Sequence, residues 1–168
     1  IYTTWWFPRQ DQLAADEETL QAYRRIHDLS CTLSLEEART HASLEILLGG
    51  ALILGDPLMY LNEAGQALLQ KALSAETVPG RPLRLFSDDD PPSIWVQRLS
   101  GSARIGFFNW TDNARTVSVS LAEAGIAGAG AIVDFWHGDP VTATDGMLSA
   151  ELLPHECRVF DITLPDRI

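Results

Sequence analysis

The chain has 168 residues, is 46% apolar and has a mean hydropathy near zero, which is typical of one globular domain or two small ones. Its formal net charge of −11 argues against nucleic acid, whose phosphates require a basic surface, but is compatible with neutral small molecules such as sugars. No apolar run reaches the roughly 18 residues that a membrane-spanning helix needs, so neither nucleic acid nor a membrane is a predicted partner.

The two cysteines, Cys31 and Cys157, lie far apart and lack the spacing of metal ligands. This pattern predicts neither a disulfide framework nor a metal site, and it favours a reduced compartment such as the cytoplasm. Because the chain begins with Ile1 rather than methionine and has no signal-like segment, we expect residues to precede it in the native protein.

The first 33 residues predict a short strand followed by a surface helix. Residues 1–7 are rich in β-branched and aromatic side chains and stop at a proline, and residues 11–29 carry apolar side chains at helical spacing. Trp5 and Trp6 fall at the end of the strand. Two interpretations stay open for them, a platform for a sugar ring and packing in a core or interface.

Residues 34–61 predict a capped helix that leads directly into a buried strand. Ser34 and Glu37 have the spacing of a capping box, and Gly49 with Gly50 would end the helix. Residues 51–54 form a continuous apolar run, which is typical of a strand covered on both faces, as in a (β/α) barrel. In such a barrel Asp56 would follow the strand at the active-site face, where it could line the pocket or cap the next turn.

The next helix is predicted for residues 63–73, with Ala64, Ala67, Leu68 and Ala72 on one face. Turn residues between 75 and 82 then indicate a domain boundary. Beyond this boundary we find only strand signals, at residues 83–86, 93–99, 103–110, 115–121, 131–136, 147–153 and 158–164. The regular spacing of short strands predicts an antiparallel β-sandwich with Greek-key connections.

Several of these segments together resemble the carboxyl-terminal part of α-galactosidase-like (melibiase-type) glycoside hydrolases. The resemblance begins with R-T-H-A-S-L at 39–44 and the helix-to-strand segment that ends at G-D-P-L, 55–58. It continues with F-N-W-T at 108–111, D-F-W at 134–136 and L-P-H at 153–155, in the order that such enzymes have them.

The resemblance implies an α+β chain in two parts: residues 1–74 as the last (β/α) elements of a TIM-type (β/α)8 barrel and residues 75–168 as the β-sandwich domain. It further implies a retaining hydrolase of α-galactosides or related α-glycosides that needs no cofactor and no metal. Such an enzyme uses two carboxylates about 5–5.5 Å apart. In the resembled family both are aspartates on earlier barrel strands, and no position here matches them, so this segment alone should be inactive.

Within the segment, the residues expected to face substrate are Asp56, Trp5 and Trp6. The expected partners are a carbohydrate substrate and the preceding barrel of the same polypeptide, and a homo-oligomer is left open. Two alternatives remain: a non-catalytic carbohydrate-binding module in which Trp95, Trp110 and Trp136 form a sugar platform, and a sandwich that only supports its neighbour. The three tryptophans equally fit packing in the core.

Overall fold

In the computed structural model, the described residues are 33–52, 63–76, 78–86 and 91–165, together with Asp16 and Glu18. Two helices come first within these residues, α1 (Leu35–Leu48) and α2 (Glu63–Leu73). They are followed by the strands β1 (Arg81–Pro82), β2 (Ile94–Leu99), β3 (Ser102–Phe108), β4 (Arg115–Ser120), β5 (Ile132–Asp134), β6 (Pro140–Val141), β7 (Met147–Leu152) and β8 (Cys157–Thr163). The strand and helix predicted for residues 1–29 lie outside the described residues, apart from Asp16 and Glu18.

The predicted ends of α1 are confirmed. The Glu37 amide donates to Ser34 Oγ at 3.2 Å, and the Ser34 amide donates to Glu37 Oε2 at 2.7 Å, which completes the capping box. At the other end Gly49 adopts φ 68°, and its amide donates to the carbonyls of Glu45 and Ile46. Both ends are therefore set by local hydrogen bonding that the sequence encodes.

The structure departs from the sequence interpretation just after α1 and within α2. Ala51 and Leu52 are not part of a strand, and the rest of the predicted buried strand lies outside the described residues. Of the four residues predicted on one face of α2, Leu68 and Ala72 are buried, whereas Ala64 and Ala67 are exposed; the helix packs on Ala38 and Ala42 of α1 through Leu68 and Leu69. Burying two leucines removes more apolar surface from water than burying two alanines, so the face of α2 that carries the leucines packs on α1.

The sandwich prediction is confirmed. One sheet has the order β1-β2-β3-β8-β5-β6 and the other consists of β4 and β7, and every pairing is antiparallel. Strands β2 and β3 pair as a hairpin, with Leu99 opposite Ser102. In β4, Val117 and Val119 are buried between the sheets, as the alternation in this strand predicts.

The prediction of a strand at residues 83–86 is wrong. The short strand β1 precedes it, and the chain then turns at Arg84, which has φ 56°, a value that does not continue a β-ladder. Arg84 Nε donates to Glu123 Oε1 at 2.7 Å, and Phe86 is left 99% exposed. Leu83 is still buried in the core and its amide donates to the Ile94 carbonyl at 2.8 Å, so it is the turn at Arg84 that takes Leu85 and Phe86 off the sheet despite their β propensity.

The larger sheet is covered on both faces. Its inner face packs on the small sheet through a core that includes Ile105, Phe107 and Phe160. Its outer face packs under α1, where Leu47 is fully buried and lies over Gly106 of β3. A Cβ atom on Gly106 would stand 2.2 Å from Leu47 Cδ1, so the absence of a side chain at this position lets the helix approach the sheet.

Candidate functional site

The three residues expected to face substrate, Asp56, Trp5 and Trp6, lie outside the described residues. The polar chemistry that the structure does describe is concentrated between helix α1 and the outer face of the larger sheet. This helix–sheet interface is built from the same short motifs that carry the family resemblance.

The R-T-H motif of α1 contacts the L-P-H turn between β7 and β8. Thr40 Oγ1 donates to the backbone carbonyl of His155 at 2.8 Å, across 115 positions of sequence. His155 has φ 58°, and its Nε2 lies 2.9 Å from Asp112 Oδ1. The threonine therefore ties the helix to a turn whose backbone geometry is unusual for a residue with a side chain.

The D-F-W motif reaches the same helix one turn further along. Trp136 Nε1 donates to Ser43 Oγ at 2.8 Å, and Ser43 in turn donates to the carbonyl of Arg39 at 2.7 Å. Ser43 Oγ also lies 3.2 Å from Cys157 Sγ. Burial raises the pKa of the Cys157 thiol to about 11, against the hydrogen bonds from Ser43 and Thr40, so it stays a neutral packing group at physiological pH.

The F-N-W-T motif forms a turn around Asn109, a fully buried residue. The Asn109 amide nitrogen donates to the carbonyls of Asn113, Leu152 and Leu153, at distances from 2.8 to 3.3 Å. Asn109 Oδ1 accepts from the Thr111 amide and hydroxyl. Both ends of the Asn109 side-chain amide are therefore occupied inside the protein.

The three sandwich tryptophans pack at the interface and do not form an open platform. Each is partly buried against the cluster that contains Ile46, Leu47 and Phe108 of α1 and β3. Their indole N–H groups are used internally: Trp95 and Trp110 both donate to the carbonyl of Pro92, and Trp136 donates to Ser43. Trp110 also stacks on Phe108, with ring planes 3° apart. These contacts favour core packing over the sugar-platform interpretation.

A buried arginine completes the interface, and sequence reasoning missed it. Arg104 on β3 donates from Nε to Asp161 Oδ1 at 2.6 Å, and its guanidinium carbon lies 4.4 Å from the Phe135 ring centroid. Gln97 on β2 is also fully buried, and its amide nitrogen donates to the carbonyls of Ile46 and Val78. Strand alternation predicts that both polar residues face solvent. Nothing in the sequence near them indicates that a helix covers this face of the sheet.

Two cavities adjoin the interface. One of about 180 Å³ is lined by Glu37, Thr40, His41, Leu44, Trp110 and His155. Burial lowers the pKa of His41 and outweighs the opposing charge of Glu45, so its imidazole is neutral at physiological pH. The other, of about 370 Å³, lies between α1, α2 and Trp136. Neither is lined by two carboxylates, so neither has the pair that a retaining glycosidase needs.

Among the described residues, no group of three or more histidine, cysteine or acidic side chains is arranged to hold a metal ion. None of the helices in the described part of the chain could span a bilayer. The described interface thus provides buried hydrogen bonding and packing, and its polar groups are mostly satisfied by one another.

Comparison with known proteins agrees with this arrangement. Residues 89–162 match the family described as "Alpha galactosidase C-terminal beta sandwich domain". The curated relatives include "Probable alpha-galactosidase D" of Aspergillus niger, 28% identical over 126 residues, which are 69% of this chain and 19% of that protein. The protein of the same name in Aspergillus oryzae is 26% identical over 133 residues, 73% of this chain and 20% of that protein.

Solved structures share the fold. Alpha-galactosidase I from Mortierella vinacea superposes with a TM-score of 0.65 at 12% identity, over 79% of this chain and 38% of that one. A GH27 β-L-arabinopyranosidase from Geobacillus stearothermophilus superposes with a TM-score of 0.66 at 24% identity, over 80% of this chain and 31% of that one. The chain spans about a fifth of the curated relatives and about a third of these solved chains.

The fold and the interface together define a class: an antiparallel β-sandwich domain with two helices packed on one outer sheet face. Residues 89–162 match the α-galactosidase (melibiase) C-terminal β-sandwich domain, and the chain shows distant homology to the GH27 α-galactosidases.

Proposed function

We propose that this chain is the carboxyl-terminal portion of a retaining glycoside hydrolase that acts on α-galactosides or related α-glycosides. In this proposal residues 1–74 complete a (β/α)8 catalytic barrel, residues 75–168 form the sandwich domain, and the catalytic aspartates precede the chain. The observation that carries the proposal is the convergence of the family motifs at one interface, with Thr40 bonded to His155 and Ser43 bonded to Trp136.

The interface also suggests what the sandwich contributes. In a barrel, helices surround the strands whose carboxyl ends build the active site. A helix held firmly from outside keeps its strand and the following loop in position, and small displacements of catalytic groups are costly to rate. On this proposal the sandwich positions the last part of the barrel, where Asp56, Trp5 and Trp6 face the substrate.

The test is hydrolysis of 4-nitrophenyl α-galactoside and related nitrophenyl α-glycosides. It compares the 168-residue chain with the full polypeptide encoded by the gene, including any residues before Ile1. We expect no hydrolysis by the 168-residue chain. We expect activity in the longer polypeptide, with retention of anomeric configuration and loss of activity when aspartates ending its barrel strands are changed to asparagine.

Hydrolysis by the 168-residue chain would contradict the proposal, and so would a longer polypeptide that hydrolyses none of these glycosides. For the interface, Thr40→Val and Ser43→Ala in the longer polypeptide should reduce kcat, because they loosen the helix. An exposed helix change such as Gln70→Ala serves as the control, since Gln70 lies on the exposed face of α2.

A further inference from the structure

The larger of the two cavities has an unusual charge for this protein. It occupies about 370 Å³ between α1 and α2 and is lined by Arg39, Lys71, Trp136 and the apolar side chains of Leu35 and Leu68, with two alanines of α2. The chain carries a formal charge of −11, yet the lining holds two cations and no carboxylate. We call it the cationic cavity.

The two cations differ in their pairing: Arg39 forms an ion pair with Glu36, whereas Lys71 forms none with a described residue. Arg39 uses Nη1 for both of its bonds to Glu36, at 2.7 Å each. Its Nε is buried and forms no hydrogen bond with any residue that the structure describes. Because Nε has almost no accessible surface, a ligand cannot reach it; the nitrogen left for a ligand is Nη2, which forms no hydrogen bond with a described residue.

Lys71 lacks a carboxylate partner in the described part of the chain. Its ammonium nitrogen lies 4.9 Å from the centroid of the Phe135 ring, a cation–π contact that leaves the ammonium protons available. The exposed position of Lys71 keeps it accessible from solvent at the mouth of the cavity.

The remaining walls fit the body of a small ring. Trp136 uses its indole N–H on Ser43, so the ring offers the cavity an apolar surface, and the two leucines extend that surface. The volume falls within the range of about 300–1,000 Å³ that small-molecule sites occupy. A guanidinium, an ammonium and an indole around one space are suited to a carboxylate attached to a compact ring.

We propose that the cationic cavity binds a monosaccharide-sized organic carboxylate, a uronic acid, with the carboxylate between Arg39 and Lys71 and the ring against Trp136. The cavity is made only from described residues of this chain. The inference therefore does not rest on the proposed hydrolase activity.

The experiment is calorimetric titration of the 168-residue chain with D-galacturonate and, in parallel, with D-galactose, which lacks only the carboxylate. We expect galacturonate to bind, galactose to bind at least about tenfold more weakly, and galacturonate binding to weaken as salt is added. Lys71→Gln should weaken galacturonate binding about tenfold, the equivalent of one lost charge-assisted hydrogen bond. Glu36→Gln should strengthen it, because it removes the competitor for Arg39.

Arg81→Gln is the matched control: it removes one positive charge from an exposed strand residue outside the cavity lining and should leave binding unchanged. Equal loss in Arg81→Gln and Lys71→Gln would reduce the effect to net charge and overturn the proposal. So would equal affinity for galactose and galacturonate, or no binding of galacturonate, the result expected if an acidic side chain of the chain itself fills the cavity.

Discussion

The contact between Leu47 of helix α1 and Gly106 of the sandwich can be tested by changing both residues. A Cβ atom on residue 106 would stand 2.2 Å from Leu47 Cδ1, and Leu47 is fully buried. Overpacking of this kind costs about 1–3 kcal/mol, so Gly106→Ala should destabilise the fold by that amount. Leu47→Ala removes a buried side chain and should cost about 2–5 kcal/mol.

The two changes should not add. In the Gly106→Ala/Leu47→Ala double variant, the new methyl group enters the space that the leucine leaves. The double variant should therefore be no less stable than Leu47→Ala alone, which gives a coupling energy of about 1–3 kcal/mol in a double-mutant cycle.

Urea unfolding followed by tryptophan fluorescence measures all four free energies. The control is Gly50→Ala, where a Cβ atom would meet nothing within 4 Å, and its effect should stay within about 0.5 kcal/mol. The reasoning is refuted if Gly106→Ala is as well tolerated as Gly50→Ala, or if the two changes in the cycle are additive.

Two further predictions concern buried polar groups of the same region. Asn109→Ala removes one donor from each of three carbonyls and the acceptor of the Thr111 amide and hydroxyl, and should lower the free energy of unfolding by about 2–3 kcal/mol, whereas the exposed Asn113→Ala should change it little; equal effects in urea unfolding would contradict the assignment. The free energy of unfolding should decrease as the pH moves away from neutrality in either direction. Because burial holds the pKa of His41 below its ordinary 6.5, the unfolded state binds more protons and stability declines as pH drops through 6.5. Because burial raises the pKa of Cys157 from 9.0 to about 11, the unfolded state loses its proton first and stability declines as pH rises from 9 to 11. His41→Gln should flatten the acid side of the profile and Cys157→Ala the alkaline side; unchanged slopes would show that other groups govern them.

The motifs that carry the family resemblance gain a physical explanation from the structure. Thr40 and His155, or Ser43 and Trp136, look unrelated in sequence because 115 and 93 positions separate them. In the fold each pair forms one hydrogen bond across the helix–sheet interface. The motifs therefore follow one another along the chain in the same order as the helix, strands and turns that form this interface.

Local chemistry in the sequence was sufficient to predict the elements whose ends or faces depend on neighbours a few residues away. The capping box of Ser34 and Glu37 and the left-handed Gly49 set helix α1, and alternation in β4 set which side of that strand is buried. These features depend on residues that are close together in the sequence, so contacts with distant elements do not change them.

Packing between distant elements determines which polar residues are buried and where the β-ladder of the larger sheet ends. Arg104 and Gln97 stand on strand positions that alternation assigns to water, and they are buried because α1 covers the outer face of the sheet. Residues 83–86 have strand propensity, yet the turn at Arg84 takes the residues after Leu83 away from the sheet. Local sequence pattern was enough to identify each well-capped segment as a helix and each alternating segment as a strand. Whether a given side chain is buried depends on which element packs over it. That contact joins residues far apart in the sequence, so no local pattern can reveal it.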